Sequence, residues 1–122
     1  MKTALTIAGS DPTGGAGLQA DLKVFRAFGS HGLSVPSALT VQNTERVEQI
    51  SPVAEALFKK QLEFLLSDIR PDALKTGMLY SISNVETVSD CVKKYALKNL
   101  VVDPVTVSSS GAVLLEEGAM EA

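Results

Sequence analysis

Short apolar runs rich in valine, isoleucine and leucine alternate along the chain with longer stretches of helical periodicity. This alternation is typical of βα units, in which a helix follows each strand and packs back on the sheet. It predicts an α/β fold with a mostly parallel sheet. A length of 122 residues suffices for one modest domain with its own core, so residues 1–122 are expected to form a single domain.

Five apolar runs predict the strands of this sheet. They span residues 3–8, 33–41, 46–50, 73–78 and 100–102. The second run contains Pro36, which cannot donate a hydrogen bond to a neighbouring strand, so we expect a sheet edge or a bulge at that point.

Helical periodicity and capping residues predict the helices. The first covers residues 15–28. The second is expected to open with Ser51 as its N-cap and Pro52 as its first residue. The third is expected to begin at a capping box formed by Ser83 and Glu86. A further helix is expected to start at residue 116.

Composition excludes several classes of function. The net charge of −3 and the pI near 5.1 argue against nucleic acid or an anionic membrane surface as the main partner. No window is long and apolar enough to suggest a membrane span, and the first residues lack the pattern of a signal peptide. Cys91 is the single cysteine, which rules out an intrachain disulfide and favours a reducing, cytoplasmic location. We interpret Cys91 as a buried small hydrophobic residue.

A glycine-rich turn, AGSDPTGGAGLQADL at residues 8–22, joins the first strand to the first helix. A Walker P-loop is excluded because Leu18 and Gln19, not Lys and Ser or Thr, follow the last glycine. Residues 15–20 fit the dinucleotide fingerprint G-x-G-x-x-A, but no acidic residue ends the second strand, and Asp11 would repel a pyrophosphate. A purely structural interpretation also stays open, in which the glycines only permit a tight turn.

Polar residues follow the carboxyl ends of several predicted strands. They are Ser10, Asp11, Gln42, Asn43, Lys75 and Asp103. In an open parallel sheet this edge is where ligands bind, so their shared placement favours a pocket.

The residue types at this edge indicate what the pocket could hold. The amide of Gln42 carries a donor and an acceptor, which suits the amino and ring-nitrogen edge of a heterocycle. Met78 offers a soft apolar contact for the face of a ring. Asp103 could serve Mg²⁺ or a phosphate-bound water, and equally it could cap a turn.

Four motifs then identify a family. They are AGSDPTGGAGLQADLK at 8–23, SALTVQNT at 37–44, LSDIRPDALKTGML at 66–79 and VVDPV at 101–105. In this order they resemble the hydroxymethylpyrimidine/phosphomethylpyrimidine kinases of thiamin biosynthesis, members of the ribokinase-like superfamily. The resemblance implies a three-layer α/β/α sandwich. It also implies an enzyme that uses ATP and Mg²⁺ to phosphorylate hydroxymethylpyrimidine and then its monophosphate.

The resemblance also assigns roles to particular residues. Gly9 and Asp11 would belong to the loop that lines the pyrimidine pocket, Gln42 would pair with the amino edge of the ring, and Met78 and Val105 would pack on the ring. The glycine-rich turn would thus shape a pocket for a small-molecule alcohol, and Asp103 would lie on the ATP side.

Family members are considerably longer, and their second half carries the anion hole, the catalytic residue and most of the ATP site. The chain is therefore expected to be an N-terminal portion that is inactive by itself, with no catalytic residue assigned. The role of the family's active-site cysteine is not transferred to Cys91, and Ser109 stands where the family usually has a lysine. Two alternatives stay open, namely a non-catalytic pyrimidine-binding or regulatory module and a pyridoxal-type substrate. A homodimer is a further expectation.

Overall fold

A computed structural model describes residues 1–104 of the chain. In chain order the elements are β1 (Thr3–Ala8), α1 (Gly17–Ala27), β2 (His31–Pro36), β3 (Ala38–Gln42), β4 (Val47–Pro52), α2 (Glu55–Asp68), β5 (Ala73–Thr76), α3 (Ile82–Lys94) and β6 (Leu100–Val102). The expected helix from residue 116 lies outside the described residues.

The main sheet has four parallel strands in the order β2-β1-β5-β6. Strand β1 is central, and its Leu5 lies opposite Leu33 of β2 and Leu74 of β5. Strands β3 and β4 form a separate antiparallel hairpin. The sequence prediction of an α/β fold with a mostly parallel sheet is confirmed.

Alternate side chains of β1 point to opposite faces of the sheet and meet different helices. Leu5 and Ile7 are fully buried on the face covered by α2 and α3. Thr6 points to the other face, where its hydroxyl donates to Asp21 of α1 over 2.6 Å. The residues of the main core are Leu5, Ile7, Leu33, Val35, Phe58, Leu62, Leu66, Leu74, Leu79, Val88 and Cys91. Helices thus cover both faces, which gives three α/β/α layers.

The prediction of one strand over residues 33–41 is wrong, because the chain leaves the main sheet at Ser37. Strand β2 ends at Pro36 and β3 begins at Ala38, in the other sheet. Buried Ser37 holds this crossing: its N–H donates to the carbonyl of Ala8 over 2.9 Å, and its hydroxyl donates to the carbonyl of Met78. Pro36 lies in the outermost strand of the described sheet, as its missing donor predicts.

Two predicted helix starts are also wrong. Ser51 and Pro52 belong to β4, where the hairpin ladder places them opposite β3. Helix α2 therefore begins later, at Glu55, and has no side-chain N-cap. Helix α3 begins two residues earlier than the box at Ser83 predicts, because the hydroxyl of Ser81 accepts a hydrogen bond from the N–H of Asn84 and caps the helix.

Cys91 is 3% exposed and lies in the core between α2 and α3, which confirms the sequence interpretation. Burial raises the pKa of its thiol, and the nearby carboxylate of Glu63 raises it further. Over residues 1–104, no helix has the length and apolar character needed to cross a membrane.

Candidate functional site

A cavity of about 270 Å³ opens at the carboxyl edge of the sheet, between α1 and the β3–β4 hairpin. It is lined by Ala8, Gly9, Ser10, Asp11, Ala16, Gly17, Ala20, Asp21, Thr40, Gln42, Lys75, Gly77, Met78 and Asp103. Five of the six residues assigned from sequence thus line one cavity: Gly9, Asp11, Gln42, Met78 and Asp103. The sixth, Val105, lies outside the described residues.

Asp11 organises the glycine-rich turn. One carboxylate oxygen accepts hydrogen bonds from the N–H and the hydroxyl of Thr13, each over 2.8 Å. The other accepts from the N–H of Ala16 over 2.8 Å, directly before α1. Burial raises the pKa of this carboxyl, but the hydrogen bonds from Thr13, Ala16 and Gly15 outweigh burial and hold the pKa below its ordinary value of 3.8. Asp11 is therefore an anion that fixes the wall of the cavity.

Gly17 allows the start of α1 to approach the end of β1. Its φ of +63° lies in the left-handed region, and a Cβ atom there would overlap the carbonyl oxygen of Gly9. That same carbonyl accepts from the N–H of Leu18 over 3.0 Å. A Cβ atom on Gly9 would in turn overlap the terminal methyl of Met78. The two glycines thus bring α1 and Met78 close to the first strand.

Strand β3 supplies the polar wall of the cavity. Its side chains alternate, so Thr40 and Gln42 line the cavity while Leu39 and Val41 are 58% and 50% exposed. The hydroxyl oxygen of Thr40 lies 2.7 Å from the carbonyl oxygen of Ser10 and 2.8 Å from Oε1 of Gln42. Thr40 therefore connects the glycine-rich turn, through Ser10, to Gln42, the residue expected to hydrogen-bond the ligand.

An ion pair forms the floor of the cavity. Nζ of Lys75 lies 2.8 Å from Oδ2 of Asp21, and the two side chains are only 22% and 19% exposed. The sequence placed Lys75 at this edge but gave no role to Asp21 or Thr40, although both lie within the quoted motifs. A lysine in a half-buried strand needs a nearby acid, and that requirement was the available signal for Asp21.

Asp103 lies at the rim. Its N–H donates to the carbonyl of Thr76 over 2.9 Å, which continues the β5–β6 ladder, and the residue is exposed. Within residues 1–104 no three His, Cys, Asp or Glu side chains form a metal-binding group. The cavity thus combines an apolar wall at Met78, an amide at Gln42 and a carboxylate at Asp103, which suits a small flat molecule with a polar edge.

A three-layer sandwich with its cavity at the carboxyl edge of a parallel sheet, next to an antiparallel hairpin, defines a ribokinase-like protein. The chain belongs to the phosphomethylpyrimidine kinase family, whose model matches residues 11–122.

Named relatives agree with this family. A hydroxymethylpyrimidine/phosphomethylpyrimidine kinase of Escherichia coli is 44% identical over 117 residues. A crystal structure of a phosphomethylpyrimidine kinase from Clostridium difficile matches 99% of this chain and 52% of its own, with 47% identity and a TM-score of 0.89. A pyridoxal kinase from Staphylococcus aureus, solved with AMP-PCP and pyridoxal, matches 99% of this chain and 42% of its own, with 35% identity and a TM-score of 0.82.

The chain is shorter than these relatives. The alignment with the Escherichia coli kinase covers 96% of this chain but 44% of that protein. The sequence therefore corresponds to less than half of a curated kinase of the family.

Proposed function

We propose that this chain supplies the alcohol-binding part of a kinase that transfers a phosphoryl group from ATP to hydroxymethylpyrimidine and to its monophosphate, in thiamin biosynthesis. The observation that carries the proposal is the cavity, in which Gln42, Met78 and Asp103 lie around one space of about 270 Å³. Membership of the phosphomethylpyrimidine kinase family supports the reaction.

Each proposed contact follows from the chemistry of its residue. The amide of Gln42 pairs with the amino and ring-nitrogen edge of the pyrimidine. Met78, which is 6% exposed, packs on the face of the ring. The backbone around Gly9 and Asp11 closes the pocket, and Val105 is proposed as a second apolar contact from outside the described residues. Binding and orienting the alcohol is thus what these residues contribute to phosphoryl transfer.

Asp103 is proposed as the protein ligand of a magnesium ion. The carboxylate of Asp11 is already hydrogen-bonded within the glycine-rich turn, and that of Asp21 is paired with Lys75. Asp103 offers an exposed carboxylate at the rim. Mg²⁺ is commonly held by one or two carboxylates together with substrate phosphates, so Asp103 would hold the ion, which would neutralise phosphate charge. The phosphates of ATP are proposed to bind in the part of the kinase that corresponds to the rest of the relatives' length.

Isothermal titration of the 122-residue chain with hydroxymethylpyrimidine, in the absence of ATP, tests the proposal. Saturable binding is expected, and Gln42→Ala is expected to weaken it by about 1 to 3 kcal/mol because a polar edge of the ring loses its partner. Gln49→Ala is the matched control, since Gln49 is an exposed residue of the same hairpin that does not line the cavity. No binding to a folded chain would contradict the proposal.

Pyridoxal is the second candidate substrate, favoured by the match to the Staphylococcus aureus pyridoxal kinase. The same titration with pyridoxal separates the two, because the tighter ligand identifies the substrate class. An assay for ADP release by the chain alone is expected to show no turnover, because the ATP site is proposed to lie in the rest of the kinase. Turnover would exclude a non-catalytic pyrimidine-binding module.

The proposed setting is a cytoplasmic one, supported by the single, buried thiol of Cys91. A homodimer is part of the proposal, and Leu39 and Val41 on the outer face of the hairpin offer apolar surface for it. Light scattering after size-exclusion chromatography measures the mass of the particle and tests the dimer.

A further inference from the structure

We infer that Thr40 is a positioning residue, which holds the amide of Gln42 with its oxygen toward the cavity and makes the site select an amino group over an oxo group on the bound ring. The selectivity rests on the proposed binding of a pyrimidine. The orientation of Gln42 is a property of the free protein and can be measured without a ligand.

The hydroxyl of Thr40 has one hydrogen and two close polar neighbours. Its oxygen lies 2.7 Å from the carbonyl oxygen of Ser10 and 2.8 Å from the end of the Gln42 amide. A carbonyl oxygen can only accept, so the hydrogen of Thr40 goes to Ser10. Ser10 is itself fixed, because its N–H donates to the carbonyl of Ala38 over 2.9 Å and its hydroxyl accepts from Gln19 over 2.7 Å.

The second neighbour of Thr40 must then be a donor. With its hydrogen directed to Ser10, the hydroxyl presents lone pairs to the Gln42 amide, whose Oε1 is placed at 2.8 Å. Two oxygens at that distance without a hydrogen between them repel each other, whereas an NH₂ group in the same position donates. The oxygen and nitrogen of an amide exchange places by a half-turn about the last side-chain bond. Gln42 therefore settles with Nε2 on Thr40 and Oε1 toward the cavity.

This orientation determines what Gln42 offers a ligand. The cavity receives the acceptor Oε1 together with the second N–H of Nε2. An aminopyrimidine matches both groups, since its amino group donates and its adjacent ring nitrogen accepts. An oxopyrimidine presents a carbonyl and a ring N–H instead. Its carbonyl would then face the acceptor Oε1, and its ring N–H would face the N–H of Nε2. Thr40 and Gln42 are half-buried, which limits the water that could relieve this mismatch.

Nuclear Overhauser effects in the ligand-free chain measure the orientation directly. We expect strong cross-peaks between the side-chain NH₂ protons of Gln42 and the methyl group of Thr40. Cross-peaks from those NH₂ protons to Met78 across the cavity, with none to Thr40, would overturn the assigned orientation.

Titration with two rings measures the selectivity. The probes are hydroxymethylpyrimidine with its amino group and the analogue in which an oxo group replaces that amino group. We expect the wild-type chain to prefer the amino ring by about tenfold or more, since each of the two mismatched positions costs about fivefold or more in affinity. Thr40→Val keeps the shape but releases the amide, and the preference is expected to fall about tenfold. Thr40→Ser keeps the hydroxyl and is expected to retain the preference.

Each outcome of the titrations has a distinct meaning. An unchanged preference in folded Thr40→Val overturns the inference while leaving pyrimidine binding intact. Loss of the preference in Thr40→Ser overturns it as well, because the hydroxyl would then not be the cause. Failure of wild type to bind either ring contradicts the proposed function and the selectivity together, and the Overhauser measurement still decides whether Thr40 holds Gln42.

Discussion

Replacement of Gly17 by alanine tests whether the close approach of α1 to β1 depends on a missing side chain. Two costs add at this position. Placing an L-residue at a φ of +63° costs about 1 to 2 kcal/mol. The new Cβ atom also falls closer than 3.0 Å to the carbonyl oxygen of Gly9, so the backbone must separate and weaken the hydrogen bond from Leu18, at a further cost of about 1 kcal/mol. The total is about 2 to 3 kcal/mol.

Gly29→Ala provides the matched control. Gly29 has a φ of +76°, but a Cβ atom there would meet nothing within 4 Å. The variant therefore carries the cost of the left-handed backbone alone, about 1 to 2 kcal/mol. The gain from a stiffer unfolded chain is the same for both substitutions and cancels from their difference.

Urea unfolding followed by circular dichroism measures the free energy of unfolding of both variants. Gly17→Ala is expected to be the less stable by about 1 kcal/mol, with an unchanged dependence on urea. Equal losses in the two variants would refute the reasoning, because they would show that the contact with Gly9 contributes nothing beyond the backbone conformation.

Three further predictions concern Gly9, Asp11 and Cys91. Gly9→Ala is expected to cost little stability, because the new Cβ atom meets the flexible end of the Met78 side chain. The substitution is expected to weaken pyrimidine binding by pushing that side chain into the cavity. A large fall in melting temperature would contradict this expectation. Asp11→Asn is expected to lower stability at pH 7 by about 1 to 2 kcal/mol through its lost hydrogen bonds. The pKa of Asp11 is depressed in the folded state, so its contribution to stability is present above pH 3.8 and is lost as the pH falls through the folded value. Urea unfolding at several pH values should therefore show the difference in free energy of unfolding between wild type and Asp11→Asn shrinking at low pH. A difference independent of pH would argue against an ionised Asp11. Burial and the raised pKa of Cys91 predict that iodoacetamide modifies the thiol only after unfolding, as mass spectrometry can detect; rapid alkylation of the folded chain would contradict its placement in the core.

The sequence was most informative where one local rule decides the structure. Strand β1 has the predicted bounds, 3–8, and so does β6, 100–102, because both are short apolar runs between clear breaks. The first helix begins two residues later and ends one residue earlier than predicted. At its start, the carboxylate of Asp11 binds the N–H of Ala16, the residue directly before the helix. Local pattern thus finds an element, while contacts from outside it set its ends.

The errors arise where pairing between distant segments overrides local preference. The pair Ser51 and Pro52 has the composition of a helix start, yet the ladder with β3 holds both in a strand. The break at Ser37 depends on the carbonyls of Ala8 and Met78, neither of which is near it in sequence. Such long-range contacts leave no local signal from which a single sequence could predict them.

In the candidate site, too, local motifs identified some residues, while residues whose role depends on a partner were missed. Gly9, Gln42 and Met78 were assigned through motifs, and the fold brings them to one cavity. Thr40 and Asp21 were missed because their significance comes from a partner, the amide of Gln42 in one case and the ammonium of Lys75 in the other. Whether the assigned residues bind a pyrimidine stays a prediction for the titrations.

The central position of β1 also has a consequence for synthesis on the ribosome. The first strand is made first, yet its partner β5 lies far along the chain, as the hydrogen bond from Thr3 to Asp72, 69 residues apart, illustrates. During translation β1 can pair early with β2 to form a βαβ unit, but its other edge stays open until β5 has left the exit tunnel. We expect a nascent chain halted before β5 to be the species that a chaperone binds, and release of the chaperone to coincide with the emergence of that strand.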